Sequence, residues 1–404
     1  MVLILFADDM VLLSDNRFGL QQGLDRLYDY CNTWGLTVNV EKTKCMVFKN
    51  GGRVSAFDKW TYNGHALETV KSFRYLGFVF SSSGKFKLAF NSIVHQGERA
   101  IFKLYSSIEN FENMYISMQL SLFNSLVTSI LCYACEIWGF AQAKAIETLH
   151  LKFLKRILKV KKTTPNCMIY KECNVYPLYY NRIFRVIGFW LKIIKLDDNN
   201  PLKIIYSASI TNDVYNVNNL PLSWSNNVKS ILYTNGFGYI WESQNLGINK
   251  HFMHTFKKRL IDLFWQSNNA AIEILSKNRI YRHLTTESCF YIKVLNNNFI
   301  REAITKLRLG SHYLNIERGR WHNTALADRK CNLCNDIEDE YHFVVICVKY
   351  YDLRIKYLPK TLYTNPSMCK FLNFLNKENN ANIKKLGLYL HFAFQQFAQE
   401  EIMN

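Results

Sequence analysis

The chain has 404 residues, 49% hydrophobic and 20% charged, which excludes a disordered polypeptide and leaves room for two or three domains with buried cores. Fifty Lys and Arg against 32 acids give a net charge of +18, so a polyanion is the expected partner, nucleic acid ahead of a membrane surface, because no long basic amphipathic anchor stands out. No apolar run approaches the ~20 residues of a membrane span. Met1–Phe6 lacks the basic flank of a signal peptide, and eleven cysteines, an odd number, argue against a disulfide framework. A nuclear or cytoplasmic protein, not secreted, with reduced thiols is expected.

Residues 1–85 read as mixed α/β. Met1–Phe6 and Met10–Leu13 are apolar runs flanking Ala7-Asp8-Asp9, the pattern of a hairpin with two carboxylates at its tip. Adjacent acids there need solvent, a partner or a cation, and Asp8 is a candidate Mg²⁺ ligand because that ion takes one or two carboxylates together with substrate phosphates. An ordinary solvated turn has the same composition. Asn16 to Trp34 predicts a helix burying Leu20, Leu24, Leu27 and Cys31, stopped by Gly35. Thr37–Asn39, Cys45–Phe48, Trp60–Tyr62 and Phe78–Ser81 read as extended.

From Phe86 to about residue 200 the pattern is helical. Ile146, Leu149, Phe153, Ile157 and Val160 form one apolar stripe, with Lys152, Lys155, Lys159 and Lys162 roughly opposite. A second helix, Leu178–Leu196, carries Arg182 and Arg185, and Pro165 and Pro177 bracket the connection. These bases suit a phosphate backbone, and a solvated helix face is the plainer alternative. Cys132 and Cys135, in an apolar run, read as core thiols. Asp197–Asn227 is rich in Asn, Asp and Ser and reads as a linker. Residues 201–300 offer a helix around Phe252–His283 and no functional signal.

The last segment, 301–404, contains Cys331-x2-Cys334-x7-His342-x4-Cys347. Three thiols and one imidazole at this spacing suit tetrahedral Zn²⁺, and metal binding would stabilise a small module with little core. His312 and His322 are alternative ligands. The intervening loop holds Asp336, Glu338, Asp339 and Glu340, which repel phosphate, so nucleic acid would meet the flanking Arg318 and Arg320, with Arg329, Lys330 and Arg354.

Three segments in order resemble motifs of LINE-type (non-LTR retrotransposon) reverse transcriptases: Phe6-Ala7-Asp8-Asp9-Met10-Val11-Leu12-Leu13-Ser14, Gly35 to Lys44, and Phe73-Arg74-Tyr75-Leu76-Gly77. Leu131 to Gly139, Thr164-Pro165-Asn166 and the segments around Arg308 to His312, Ile316 to Arg320 and Glu338 to Phe343 are similar to later parts of such proteins. The resemblance implies an RNA-directed DNA polymerase that acts on RNA and DNA. Asp8 and Asp9 match its metal-binding hairpin, Lys42 a general acid for pyrophosphate, and Tyr75, Leu76 and Gly77 the turn holding the primer end. The implied fold is α+β: a partial palm over 1–85, a helical thumb-like region over 86–200, a region of unassigned role over 201–300, and a zinc-knuckle-like module with terminal helices over 301–404. The family's third catalytic acid and its fingers lie upstream of the hairpin, and only five residues precede Phe6. The expectation is an incomplete polymerase, inactive alone, or a nucleic-acid-binding remnant without catalysis.

Overall fold

The computed structural model describes residues 2–49, 55, 57–109, 113–141, 143–214, 223–244, 249–277, 279–285, 287–377 and 379–403. The chain divides into two compact units, Met1–His95 and Gln96–Asn404. The first mixes helices with small sheets and the second is built mainly of helices.

In the first unit, β1 (Val2–Phe6) and β2 (Asp9–Leu13) pair antiparallel, with Val2 opposite Leu13 and Phe6 opposite Asp9. That register leaves Ala7 and Asp8 as a two-residue turn. Helix α1 (Arg17–Thr33) starts at Asn16, whose side chain accepts from the Gly19 N–H at 2.8 Å. It ends before Gly35, whose φ of +63° suits a residue without a Cβ. Leu24 and Cys31 are buried and Leu20 and Leu27 half-buried, so the expected face is the one that packs. Leu24 shares a core with Cys45, Trp60, Tyr62 and Leu67. These come from a sheet in which β5 (His65–Thr69) lies between β3 (Lys44–Cys45), parallel to it, and β4 (Trp60–Tyr62), antiparallel. The Trp60 indole donates to the Arg17 carbonyl at 3.1 Å, tying sheet to helix.

Two expected strands are shorter or missing. Thr37–Asn39 joins no sheet, and Asn39 opens a turn just after it: its side chain accepts from the Lys42 N–H at 3.1 Å and its carbonyl from the Thr43 N–H at 3.0 Å. Cys45–Phe48 contributes only Cys45 to β3. A second hairpin joins β6 (Ser72–Tyr75) to β7 (Phe78–Ser81). The division between the units falls within α2 (Lys87–Glu109).

In the second unit, α3 (Ile116–Phe123) continues through a π-helical turn into α4 (Ser129–Leu131), and α5 (Cys135–Trp138) follows. Cys132 and Cys135 are buried at 1% and 0% exposure, as core thiols should be. Helix α6 (Lys144–Ile157) buries Ile146, Leu149, Phe153 and Ile157. Pro165 and Pro177 stand immediately before α7 (Asn166–Cys173) and α8 (Leu178–Ile193).

The expected linker is largely helical. Helix α9 (Pro201–Val214) starts with a proline at its first position, and Asn200 accepts from the Leu202 N–H. Helix α10 (Trp224–Thr234) is capped by Ser223, which accepts from the Asn226 N–H. The polar residues read as linker residues serve as caps. Residues 215–222 of that expected linker lie outside the described residues. Helices α11 (Gly238–Ser243) and α12 (Asn249–Glu273) then join α8 and α10 around Trp190, Val228, Trp241 and Phe256. After α13 (Tyr291–Val294), α14 (Asn298–Arg308) and α15 (Asn315–Trp321), the chain passes through the Cys/His segment into α16 (Tyr351–Tyr357), α17 (Lys360–Tyr363), α18 (Met368–Asn376) and α19 (Asn380–Met403). No helix among the described residues is long and apolar enough to cross a membrane.

His150, on α6, is 4% exposed and stacks on Phe123, and its Nδ1 has no hydrogen-bond partner. Burial pulls its pKa down from 6.5 to about 4. Below the unfolded value the unfolded chain takes up a proton that the folded chain refuses, so stability falls as the pH drops through that window. His150→Phe should reduce the loss between pH 7 and pH 4 by about 3 kcal/mol in paired urea melts; identical pH profiles for the two proteins would refute this.

Candidate metal centre and carboxylate hairpin

Cys331, Cys334, His342 and Cys347 converge, with one ligand atom from each within 4.8 Å of the others. Local backbone bonds bring them together. Cys331 N–H donates to Asp336 at 2.8 Å, and Asn335 N–H to Cys331 at 3.0 Å, with Asn335 in the left-handed region at φ +57°. These bonds form the knuckle carrying Cys331 and Cys334. Asp339 then starts a π-helical turn (His342–Ile346) by accepting from the His342 N–H at 2.8 Å, and the His342 carbonyl accepts from Cys347 N–H at 2.8 Å. The buried Arg354 guanidinium donates to the Val344, Ile346 and Cys347 carbonyls. Arg354 therefore holds the ligand loop from within and does not face solvent.

The donor set fits tetrahedral zinc. Cys347 Sγ lies 3.9 Å from both Cys331 Sγ and Cys334 Sγ. Zn–S bonds of about 2.3 Å at tetrahedral angles separate the sulfurs by roughly 3.8 Å. His342 is 3% exposed and neither ring nitrogen has a hydrogen-bond partner, a costly state unless one of them binds an ion. Burial holds its pKa down, which favours the neutral, ligating imidazole. Burial and the neighbouring Cys331 and Cys334 sulfurs push the Cys347 thiol up to about 12, so a cation is what would make it a thiolate. His312 lies outside the cluster: its Nε2 meets Glu340 at 3.1 Å. His322 is exposed.

Asp8 and Asp9 are exposed at the β1–β2 turn, where Ala7 has φ +50°. Among the described residues, no third ligating side chain joins them. Two carboxylates suit one Mg²⁺ whose shell is completed by substrate phosphates, and are too few for a pair of ions. Tyr75, Leu76 and Gly77 form the β6–β7 turn, with φ +47° at Leu76 and +81° at Gly77, the backbone of a tight two-residue hairpin. The Tyr75 hydroxyl is buried without a hydrogen-bond partner. Lys42 is exposed on its own turn.

The expected phosphate-facing bases divide into two groups. Lys152 and Lys162 are exposed, with side chains that no hydrogen bond or ion pair among the described residues engages. The others have partners in the fold. Lys155 Nζ donates to the Lys162 carbonyl at 2.8 Å, and Lys159 pairs with Glu302 at 3.1 Å. Arg182, 1% exposed, pairs with Glu147 at 2.9 Å and cannot reach a polymer. Arg185 pairs with Glu136 at 2.7 Å while remaining exposed. Arg318 is half-buried, and Arg320 meets Glu317 and Ser276. Lys161 sits over the Tyr313 ring at 3.8 Å and the Trp321 ring at 4.0 Å, a cation–π clamp between the α6–α7 connection and the segment around α15.

The buried pair of Glu172 and Arg308 escaped the sequence reading. Arg308 Nε donates to Glu172 Oε1 at 2.7 Å, and the Tyr291 and Tyr281 hydroxyls donate to the same carboxylate at 2.6 and 2.9 Å. An acid within an otherwise ordinary helix carries no signal of its partner 136 residues away.

Residues 1–80 match the family Reverse transcriptase (RNA-dependent DNA polymerase). Three relatives align over wider stretches. The RNA-directed DNA polymerases from mobile element jockey of Drosophila funebris and Drosophila melanogaster are 23% and 22% identical over 161 residues, 38% of this chain and 17% of each relative. A transposon-derived protein of Caenorhabditis elegans is 23% identical over 162 residues, 39% of this chain and 57% of that protein. The chain thus aligns with about one sixth of each jockey polymerase. The stretch bearing the Asp8–Asp9 turn is similar to reverse transcriptase, and the wider alignments are to proteins of mobile elements.

Proposed function

We propose that this chain is a reverse-transcriptase polypeptide of the non-LTR retrotransposon type that binds RNA and DNA and, by itself, does not polymerise. The observation that carries the reading is the β1–β2 hairpin, which holds two exposed carboxylates at a two-residue turn inside the stretch that matches reverse transcriptase. On this reading residues 1–85 are palm, 86–200 thumb and 301–404 a zinc module. In a complete site Asp8 and Asp9 would hold Mg²⁺, Lys42 would stand as the proton donor for pyrophosphate, and the Tyr75–Gly77 turn would seat the primer end. Bound Mg²⁺ would supply Lewis-acid stabilisation of the transferring phosphoryl group. Binding of the polymer falls to the exposed Lys152 and Lys162, with Arg185 and Lys159 released to phosphate only where their acidic partners give way.

A second reading, a nucleic-acid-binding remnant without catalysis, is favoured by the lack of a third carboxylate beside Asp8 and Asp9 among the described residues. Primer extension with Mg²⁺ or Mn²⁺ separates the two. No extension is expected from the chain alone; extension that disappears in Asp8→Ala would overturn that part of the proposal. RNA and DNA binding should weaken steeply with salt. Lys152→Glu with Lys162→Glu should cost about tenfold in affinity and lower the salt slope by about 2, measured by fluorescence anisotropy. Unchanged affinity and slope would remove these lysines from the interface.

A further inference from the structure

Beside the metal centre, a cavity of about 490 Å³ opens between the segment preceding the 3₁₀ turn Tyr281–His283, α15, the ligand loop and α18. Its size falls in the ~300–1,000 Å³ range of small-molecule sites. Ile316, Met368 and Leu372 contribute apolar wall, and Arg279, His283 and Arg320 contribute cationic or aromatic edge. Its two acids already have partners. Glu340 meets His312 at 3.1 Å, and Asp339 accepts from the His342 N–H at 2.8 Å. Arg320 is held by Glu317 and Ser276. Arg279 differs: it is exposed, and no hydrogen bond or ion pair among the described residues engages its guanidinium, although its charge acts on the nearby Asp339 carboxylate.

An apolar wall, an exposed imidazole ring and one exposed guanidinium match the parts of a nucleotide. The wall receives the face of a base, the ring of His283 stacks on it, and Arg279 meets the phosphate with a fork of donors. Inorganic phosphate alone would leave the wall unused. A base paired in a duplex cannot enter, because its face is already stacked between its neighbours. We propose that this cavity holds one unpaired nucleotide of a single-stranded RNA or DNA. The inference rests on the nucleic-acid reading above and deepens it from backbone binding to recognition of an unpaired base.

The test uses the full chain loaded with zinc, and two variants. Arg279→Ala removes the exposed guanidinium, and Leu372→Trp fills the cavity; zinc content and circular dichroism verify that each folds. Fluorescence anisotropy with a labelled single-stranded RNA and the corresponding blunt duplex gives the first readout. Arg279→Ala should bind the single strand about tenfold more weakly, the loss of one charge-assisted contact, Leu372→Trp at least as weakly because the base is shut out, and both should bind the duplex as the parent does. Equal losses on both polymers, or no loss on either, overturn the proposal. Saturation-transfer NMR with 5′-AMP and 5′-UMP gives the second readout, expected at the base protons and absent in Leu372→Trp. Inorganic phosphate displacing 5′-AMP at equal concentration would identify a plain anion site and overturn it as well. Because mononucleotide binding needs no polymer, a chain that binds 5′-AMP but neither RNA nor DNA would defeat the broader reading and leave the cavity's ligand class standing.

Discussion

Removing zinc is expected to unfold the C-terminal part of the second unit. As purified, the chain should carry one equivalent of zinc, and Cys347→Ala should carry none. Structural zinc contributes roughly 10–16 kcal/mol of apparent binding free energy in small zinc domains at neutral pH, comparable with a folded domain's whole stability of about 5–15 kcal/mol. The Cys331–Cys347 segment forms little regular structure apart from its knuckle and π-helical turn, so a bound metal would add greatly to the few backbone and Arg354 bonds that position it. Exposed Cys369, outside the cluster, is the control: Cys369→Ala should keep both zinc and stability. Co²⁺ substitution should give the charge-transfer bands of a tetrahedral thiolate site, and these should weaken as protons compete for the sulfurs at lower pH. A metal-free chain with the same melting profile as the loaded one would sink the assignment.

The second large effect is expected at Arg308. Glu172 is fully buried, and burial alone would raise its pKa. The Arg308 charge, the Arg308 hydrogen bonds and those from Tyr291 and Tyr281 outweigh it and hold the carboxyl below its ordinary value of 4.5. A folded-state pKa below the unfolded one means that this stabilisation is present above pH 4.5 and is lost as pH falls through the depressed value. Arg308→Ala leaves the carboxylate without its cation and should cost about 3–5 kcal/mol, read as a lower urea midpoint. Glu172→Gln with Arg308→Met, which removes both charges, should recover part of that loss. A change below about 1 kcal/mol in the single variant would mean that the cavity around Glu172 admits water.

Local chemistry made much of the fold legible. The α1 face, the α6 stripe, the breaks at Pro165 and Pro177 and the hairpin around Ala7-Asp8 follow from periodicity and turn residues that act over a few positions. The convergence of Cys331, Cys334, His342 and Cys347 was legible because three thiols and an imidazole at knuckle spacing have few other uses. Competing local chemistry hid other features. Asn39 opens a turn directly after an expected strand that joins no sheet, and Asn200 and Ser223 looked like linker residues while capping helices. The bases were the least legible. Lys159, Arg182 and Arg185 read as surface charges by spacing, yet each meets an acid from a distant segment, Glu302, Glu147 and Glu136. Net charge tells that a polyanion is welcome; it does not tell which cations are already neutralised. The cavity gave no sequence signal, since its walls come from segments up to 96 positions apart, Ser276 to Leu372.

The Glu172–Arg308 pair also sets a timetable for biosynthesis. Its partners are 136 residues apart, with α8 to α13 between them. At about 5–20 residues per second, a ribosome spends roughly 7–27 seconds making the intervening stretch after it has made the carboxylate. During that interval the nascent α7 carries a charge destined for a dry interior and has no cation to meet it. The helices encoded in between are made before Arg308, so the Glu172 carboxylate gains this cation only once α14 has emerged.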